Sequence, residues 1–338
     1  MRAPGNLRVS RPGRLLRTRR GMTPRCCGLI CLLISAVHAM AAPMQTSTRT
    51  TGVAPLAVFF DAVRTDSDVV QPTNRDHTSF HYRWNFGDAT VGQWETNGAD
   101  RNEASGPLAA HVFEQPGTYI VTLEVTDAQA RTHVYEQTIR VTTFNGVTHY
   151  VSSTEGSDSN DSLSPQQAVQ SFAKAMSFLA PNHRILFKRG GAWTSNASID
   201  MNVAGPGVIG AYANTDGSDN PSLPKPRINH TSTGSLFRFG SSGVDWRIMD
   251  LDCTGPGGSS TGYVIEGNKA MRQMLALRLD ATRFKSAFSC SIITNDHDQN
   301  FFVDCAVHHT DNKAAFIGGS RSAVMGCSMT DAGSHVLR

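Results

Sequence analysis

Two short stretches of the chain carry residue types that do chemistry when they are brought together. Asn295-Asp296-His297-Asp298 places two carboxylates two positions apart. Side chains alternate along an extended backbone, so Asp296 and Asp298 would project to one side and share a hard cation such as Ca2+. His308-His309-Thr310-Asp311-Asn312-Lys313 gathers imidazole, carboxylate and ammonium in one segment. There His309 or Lys313 is the candidate catalytic base and Asp311 its partner. Both stretches also have a plainer reading as solvated turns, the second with Asn312 in a left-handed bend. Asp250, Asp252 and Asp304 are read as solvated turn edges, because like charges stacked closely along one ladder repel. The 12 histidines form no Cys/His zinc spacing.

What must position such residues follows from composition. The chain has 338 residues, enough for two domains with cores of their own. Only 17% of them are charged, against about 25% in an ordinary globular protein, which argues against a disordered chain or a coiled coil. The formal charge of +3 misdescribes the folded part. Eight of the 31 basic residues are arginines between Arg2 and Arg25, ahead of any acid, which leaves 23 against 28 acidic residues. That removes the basis for a nucleic-acid interface.

Residues 28–37 (GLICLLISAV) are an apolar run behind the arginine-rich leader, and Ala39-Met40-Ala41 fits a small-residue cleavage rule. Residues 1–41 are therefore read as a signal peptide, with Met22 as an alternative start. The mature chain is expected to be secreted, whether extracellular, at the cell surface or periplasmic. A short membrane anchor is the competing reading, but spanning a bilayer takes ~20 apolar residues. No later stretch approaches that, so no transmembrane segment is expected after cleavage. Cys26, Cys27 and Cys31 leave with the signal; Cys253, Cys290, Cys305 and Cys327 remain.

Residues 43–144 read as a first module. Strand signals dominate and helix signals are absent. Tyr119-Ile120-Val121-Thr122-Leu123-Glu124-Val125-Thr126 alternates strictly. Tyr119, Val121, Leu123 and Val125 then share a buried face, with Thr122, Glu124 and Thr126 toward water. Pro116-Gly117 suits a tight turn, from which His111-Val112-Phe113 would pair back as the preceding strand. An antiparallel sandwich of short strands follows. Tyr82-Arg83-Trp84-Asn85-Phe86-Gly87-Asp88, His111-Val112-Phe113 and Pro116-Gly117-Thr118-Tyr119 resemble the polycystic-kidney-disease (PKD) domain. Ala54-Pro55-Leu56-Ala57-Val58 and Val125-Thr126-Asp127 extend the resemblance at either end. The sequence departs from the family at Asn85, where Asp is frequent, at Ala89, in place of Gly, and in a longer connection over residues 88–110. These departures weaken any carry-over of cation binding to that loop. The resemblance implies an immunoglobulin-like β-sandwich serving as an extracellular spacer or a sugar- or protein-contacting module. Trp84 is assigned to the core. Trp94, in the long connection, is the candidate sugar-contacting aromatic.

Residues 147–338 read as a second module. Ser164-Pro165-Gln166-Gln167 has the form of a helix start, with Ser164 as N-cap and Pro165 at the first helical position. Ala168, Phe172, Ala175, Met176 and Leu179 share a helical face, and Pro181 ends the helix. A single amphipathic helix in a β-rich region would cover an open sheet end. Farther on, units repeat. Aligning Asp250, Ala276, Asp304 and Gly326 gives steps of 26, 28 and 22 residues, each unit followed by a second strand such as Tyr263-Val264-Ile265 or Ala287-Phe288-Ser289. A period of 20–30 residues is that of a solenoid, here one whose coils stack ~4.8 Å apart. Parity places Leu251 and Cys253, Leu277 and Leu279, Cys305 and Val307, and Cys327 and Met329 inside. Side chains stacked in parallel lack disulfide geometry, so buried free thiols are expected.

Tyr150-Val151 with Gly156-Ser157-Asp158, the helix around Phe172, and Leu186-Phe187-Lys188-Arg189-Gly190-Gly191-Ala192-Trp193 resemble the N-terminal part of pectate-lyase-like right-handed parallel β-helix proteins. The chain reaches Arg338 inside a strand, so a truncated solenoid is expected. The expected fold class is thus all-β: an immunoglobulin-like sandwich plus an incomplete parallel β-helix with an N-terminal capping helix. The resemblance implies a carbohydrate-active protein whose partner is a polysaccharide or cell-surface glycan, and a monomer is expected. Cleavage by β-elimination, as in a polysaccharide lyase, is the reaction expected first and needs a Lys or Arg base and acids holding Ca2+; a glycoside hydrolase needs two separated carboxylates. The alternative is a non-catalytic surface or adhesion protein with both modules as scaffold.

Overall fold

In the N-terminal module eight strands of the described residues make two sheets. They are β1 (Ala42–Pro43), β2 (Thr51–Val53), β3 (Leu56–Asp61), β4 (His81–Asn85), β5 (Glu103–Ser105), β6 (Leu108–Phe113), β7 (Gly117–Thr126) and β8 (Thr132–Thr142). The computed structural model describes residues 42–43, 48–64, 80–258, 262–290 and 297–337, so the expected signal peptide and Asp296 lie outside the described residues. The larger sheet runs β1-β8-β7-β4-β5, with β2 also on β8; the smaller pairs β3 with β6. Alternating apolar residues from both sheets meet in a core of Leu56, Val58, Phe60, Trp84, Phe86, Phe113, Val121, Leu123, Val125 and Ile139. Trp84 is fully buried, its indole N–H donating to the Gly106 carbonyl at 2.8 Å.

The expected pairing of His111-Val112-Phe113 with the strand after Pro116-Gly117 is corrected by the register. β6 pairs antiparallel with β3, and β7 pairs with β4 and β8. The turn carries the chain from one sheet to the other. A corner of this kind is held by the Tyr119 hydroxyl, which donates to the Gln115 carbonyl at 2.8 Å.

The second module is a parallel β-helix with three faces. The first face stacks Val147–Val151, His183–Lys188, Gly207–Tyr212, Trp246–Met249, Leu275–Leu277, Phe301–Val303 and Ala323–Met325. The second stacks Ala192–Ser195, Arg227–His230, Asp252–Thr254, Asp280–Thr282, Ala306–His308 and Ser328–Met329. The third stacks Ile199–Met201, Phe237–Phe239, Tyr263–Gly267, Ser286–Cys290 and Ala315–Phe316. All pairings in these faces are parallel and in register, so identical positions of successive coils lie over one another. Ile185, Ile209, Ile248, Ala276, Phe302 and Val324 form one interior stack on the first face.

Two expectations about this module are corrected. The capping helix α1 spans only Phe172–Met176, and its N-cap is Ser171, whose hydroxyl accepts from the Lys174 N–H at 3.1 Å. Ser164 makes no side-chain cap; Pro165–Gln167 is a lone 3-10 turn, after which Ala168 is extended. The intervening chain is used otherwise. Val169 bridges Val151 in parallel, its N–H donating to Tyr150 O while Ser152 N–H donates to Val169 O. Backbone that satisfies an open sheet edge cannot also be helical.

The second correction concerns the repeat alignment. Asp250, Arg278, Asp304 and Gly326 occupy the corner between the first and second faces, all with left-handed backbone (φ 58°, 53°, 50° and 62°). The position equivalent to Asp250 is therefore Arg278, not Ala276. The interior stack beside that corner is Leu251, Leu279, Cys305 and Cys327, as backbone bonds Asp280 N to Leu251 O, Ala306 N to Leu279 O and Ser328 N to Cys305 O require. Leu277 points the other way, outward from the solenoid. Cys253, Cys290 and Cys305 are buried, Cys327 is half-buried, and all four are free thiols.

Leu277 is nonetheless fully buried, because the sandwich docks on the first face. Ala57 and Phe59 of β3 and Ala110 and Val112 of β6 pack against Met249, Leu275, Leu277, Phe301, Val303 and Met325. At one end of this contact the buried Arg247 of the solenoid donates to the Pro55 and Val53 carbonyls, each at 3.0 Å, and pairs with Asp245 at 2.8 Å. Arg49 of the sandwich also reaches Asp245, at 2.7 Å.

Candidate functional site

At the other end of the docked surface, the long connection between β4 and β5 lies against the corners of the third and fourth repeat units, at Asp304 and Gly326. Trp94 lies on the solenoid there, with the Arg101 guanidinium 4.5 Å from its ring centre. Two cavities flank this loop, each about 380 Å³. One is largely apolar, between Phe59, Trp94, Leu108, Ala110 and Met325. The other is a charged cleft, in which Glu95 and Arg101 of the sandwich face Lys225, Arg278, Asp280 and Asp304 of the solenoid.

The charges of the cleft are organised by the corner stack. The reading of Asp250, Asp252 and Asp304 as solvated turn edges is corrected: Asp250 is buried and Asp304 half-buried at this corner, and Asp252 lies in the strand Asp252–Thr254, paired with Arg227. In the structure Arg278 occupies the coil between Asp250 and Asp304, so the signs alternate. Asp250 receives Arg278 Nε and Nη2 at 2.8 and 3.0 Å and lies 3.4 Å from Arg189 Nη2. Arg189 in turn holds Asp219 at 2.6 and 2.7 Å. In the other direction Arg278 Nη1 binds Glu114 of the sandwich at 2.6 Å, and Glu114 meets Arg101 at 3.3 Å. Arg101 Nη2 then reaches Asp304 Oδ2 at 3.1 Å. The result is a continuous chain: Asp219, Arg189, Asp250, Arg278, Glu114, Arg101, Asp304. Every inner carboxylate touches two arginines, whereas Asp304, at the end in the cleft, has Arg101 as its one direct cationic contact in the chain. Burial raises the Asp304 carboxyl above its ordinary value, and Glu114 and Glu95 add to this, while Arg101 and Arg278 oppose it. Asp280, also in the cleft, is paired with Lys225 at 2.8 Å. Two carboxyls, one raised by burial and paired with Arg101 of the sandwich, the other paired with Lys225 of the solenoid, thus face the same space.

The described candidate site residues read from sequence lie elsewhere, with one exception. His309 sits at the corner following the second face, exposed, with φ 53°; it is this residue, not Asn312, that takes the left-handed bend. Its Nδ1 is 2.9 Å from Nδ1 of His308 and its Nε2 is 3.8 Å from Asp331. Asp311 is exposed, and neither it nor Lys313 nor His309 lines the cleft. Asp298 occupies the corner before the first face, where Arg321 engages both carboxylate oxygens, Nε donating to Oδ1 at 2.8 Å. Both oxygens of that carboxylate are thus taken up by Arg321, and among the described residues no group of three His, Cys, Asp or Glu side chains is arranged to hold a metal. The exception is Trp94, which borders the apolar cavity but is half-buried against the solenoid rather than standing free. The sequence signal for the cleft was present in Asp304 at a repeat corner, but its partners Arg101 and Glu114 are distant in sequence.

Residues 41–143 match the family model of the PKD domain. Comparison with curated proteins gives no match. Among solved structures the chain is similar to the GH136 lacto-N-biosidase from Eubacterium ramulus. The native protein has 14% identity and a TM-score of 0.38, over 50% of this chain and 43% of that one. The selenomethionine derivative has 15% identity and a TM-score of 0.33, over 50% and 42%. The chain therefore spans less than half the length of that enzyme.

Proposed function

We propose that this chain is an exported carbohydrate-active protein that takes an extracellular glycan into the charged cleft between sandwich and solenoid and cleaves it by hydrolysis. The observation that carries the reading is the meeting of two carboxyls in unlike settings in one cleft: Asp304, half-buried, its titration raised by burial against the opposition of Arg101, and Asp280, ion-paired to Lys225. Glycoside hydrolysis needs that division, an acid for the leaving oxygen and a carboxylate for the attacking water or the anomeric carbon. Asp304 takes the first role, donating its proton to the glycosidic oxygen. Asp280 takes the second.

Elimination, the other reaction implied by a pectate-lyase-like solenoid, requires a free base. The cations of the cleft are all engaged by carboxylates: Lys225 by Asp280, Arg278 by Asp250 and Glu114, Arg101 by Glu114 and Asp304. Hydrolysis is the better fit, with no step routed through Ca2+.

The test is a panel of neutral, acidic and amino polysaccharides incubated with the chain and with Asp304→Asn. New reducing ends without ultraviolet absorbance, reduced at least about 100-fold in the variant, support hydrolysis at this cleft. Absorbance from unsaturated sugar ends points instead to elimination. Retention on immobilised glycans with no turnover converts the reading to a binding module. Neither turnover nor retention overturns it.

A further inference from the structure

The sandwich is positioned to do more than flank the cleft. Asp304 belongs to the solenoid, yet the cation nearest its carboxylate comes from the sandwich. Arg101 lies under three constraints: its guanidinium stacks over Trp94 at 4.5 Å, Nη2 meets Glu114 at 3.3 Å, and the same nitrogen meets Asp304 at 3.1 Å. Its side chain is only 16% exposed, so its charge is poorly screened by water.

We propose that Arg101 is the positioning residue for Asp304, so that the docked sandwich completes a site of which the solenoid carries only part. The inference rests on reading Asp304 as the acid of the cleft. In the alternating chain there are four carboxylates, Asp219, Asp250, Glu114 and Asp304, for three arginines, Arg189, Arg278 and Arg101. One negative charge is uncompensated. Asp250 and Glu114 each share two arginines, so the deficit falls on the ends of the chain, and of these Asp304 opens into the cleft. Asp304 is thus the carboxyl of the chain that meets the cleft with a single arginine beside it, and Arg101 is what orients it. Arg101 touches Asp304, not the expected reacting bond, and so acts through it.

The groups facing Asp304 are Arg101, Glu114 and Glu95 from the sandwich and Arg278 from the solenoid, with Lys225 and Asp280 across the cleft. They make the sign of the test decisive. Loss of the Arg101 charge with docking intact removes a stabiliser of the carboxylate and raises its titration midpoint. Loosened docking admits water, relieves burial and lowers the midpoint.

The Asp304 carboxyl would be followed by carbon-detected NMR of aspartate-labelled protein, assigned through Asp304→Asn, from pH 3 to 8. Arg101→Gln is expected to raise the midpoint by about one pH unit, and Arg101→Lys to hold it within about half a unit of the parent. Glu114→Gln, which keeps the Arg101 charge, is expected to lower it. An unchanged or lowered midpoint in Arg101→Gln overturns the proposal and makes Arg101 a docking residue alone. No glycan enters this measurement, so its failure is distinct from failure of the hydrolase reading, which shows as silence on the polysaccharide panel.

Discussion

Trp94 closes directly over Gly326: a Cβ on that glycine would stand 2.4 Å from Cε3 of the indole. The backbone alone does not demand glycine there. Asp250, Arg278 and Asp304 hold the same left-handed corner in earlier coils without it, at ~1–2 kcal/mol each. What the last of these corners must accommodate is the ring of the sandwich loop together with the Asp304 carboxylate, whose Oδ1 would stand 2.5 Å from that Cβ. Gly326→Ala is therefore expected to displace Trp94 and cost about 2 kcal/mol. A red shift of the Trp94 emission, isolated by comparison with Trp94→Phe, together with a lower urea midpoint, checks it. An unshifted spectrum would show that the loop is held from elsewhere.

Arg247 is the buried clasp at the opposite end of the docked surface. Burial pulls its guanidinium down to about 10, although Asp245 beside it opposes the shift. Arg247→Ala leaves the Val53 and Pro55 carbonyls without these donors and is expected to cost about 3 kcal/mol. Because Leu275, Leu277, Phe301 and Val303 lie beneath the sandwich, the variant should also bind a hydrophobic dye at denaturant concentrations that leave the parent silent. Equal stability with no dye binding would count against docking through this arginine.

The docked face shows what was legible in the sequence and what was not. The inward alternation of Val121, Leu123 and Val125 in β7 could be read directly, since one face meets water. In β3, Leu56-Ala57-Val58-Phe59-Phe60 is apolar on both faces, as is Leu275-Ala276-Leu277, and unbroken apolar runs mark strands covered on two sides. What covered them could not be read, because the partner strands lie far apart in the chain. The same limit hid the cleft. Asp304 was visible as a corner residue, but the alternation of Asp250, Arg278 and Asp304 depends on coil register, and a two-residue slip in the second unit put Ala276 where Arg278 belongs. The capping helix was mislocated for a local reason: Ser164-Pro165 is a good start signal, yet residues 168–170 are more useful to the sheet edge beside Val151.

That last point is testable at little effort. Ser171→Ala removes the acceptor for the Lys174 N–H and is expected to cost about 1 kcal/mol in chemical denaturation. Ser164→Ala should stay within about 0.5 kcal/mol of the parent. The reverse ranking would move the cap back to Ser164.

Acid should unfasten the start of the solenoid. His149 is buried, stacked on Phe178 at 4.2 Å between centroids, with Nδ1 2.7 Å from the Ser162 hydroxyl and Nε2 2.9 Å from His183 Nδ1. Burial first, and His183 second, pull its titration down to about 4. Its folded value is below the unfolded one of ~6.5, so the unfolded chain binds the extra proton. The stability contributed by the neutral ring is complete above pH 6.5 and declines as pH falls toward 4. His111 and His230 are lowered in the same direction by burial and should add to the loss. Melting temperature measured from pH 7.5 to 4 should fall across that window, and His149→Gln should flatten the slope. A parent profile that is flat between pH 6.5 and 4.5 would contradict it.

The two clasps of the sandwich engage coils that are not neighbours. Arg247 belongs to the strand Trp246–Met249, while Asp304 follows Phe301–Val303, two rungs farther along. The sandwich therefore works as a gauge of fixed length laid along the solenoid. Solenoids ordinarily tolerate gain or loss of whole repeats, since each unit meets only its neighbours. Between these clasps that freedom is gone, because one added rung would slide Asp304 ~4.8 Å out of reach of Arg101. Growth by duplication is open to this architecture only outside the gauged segment.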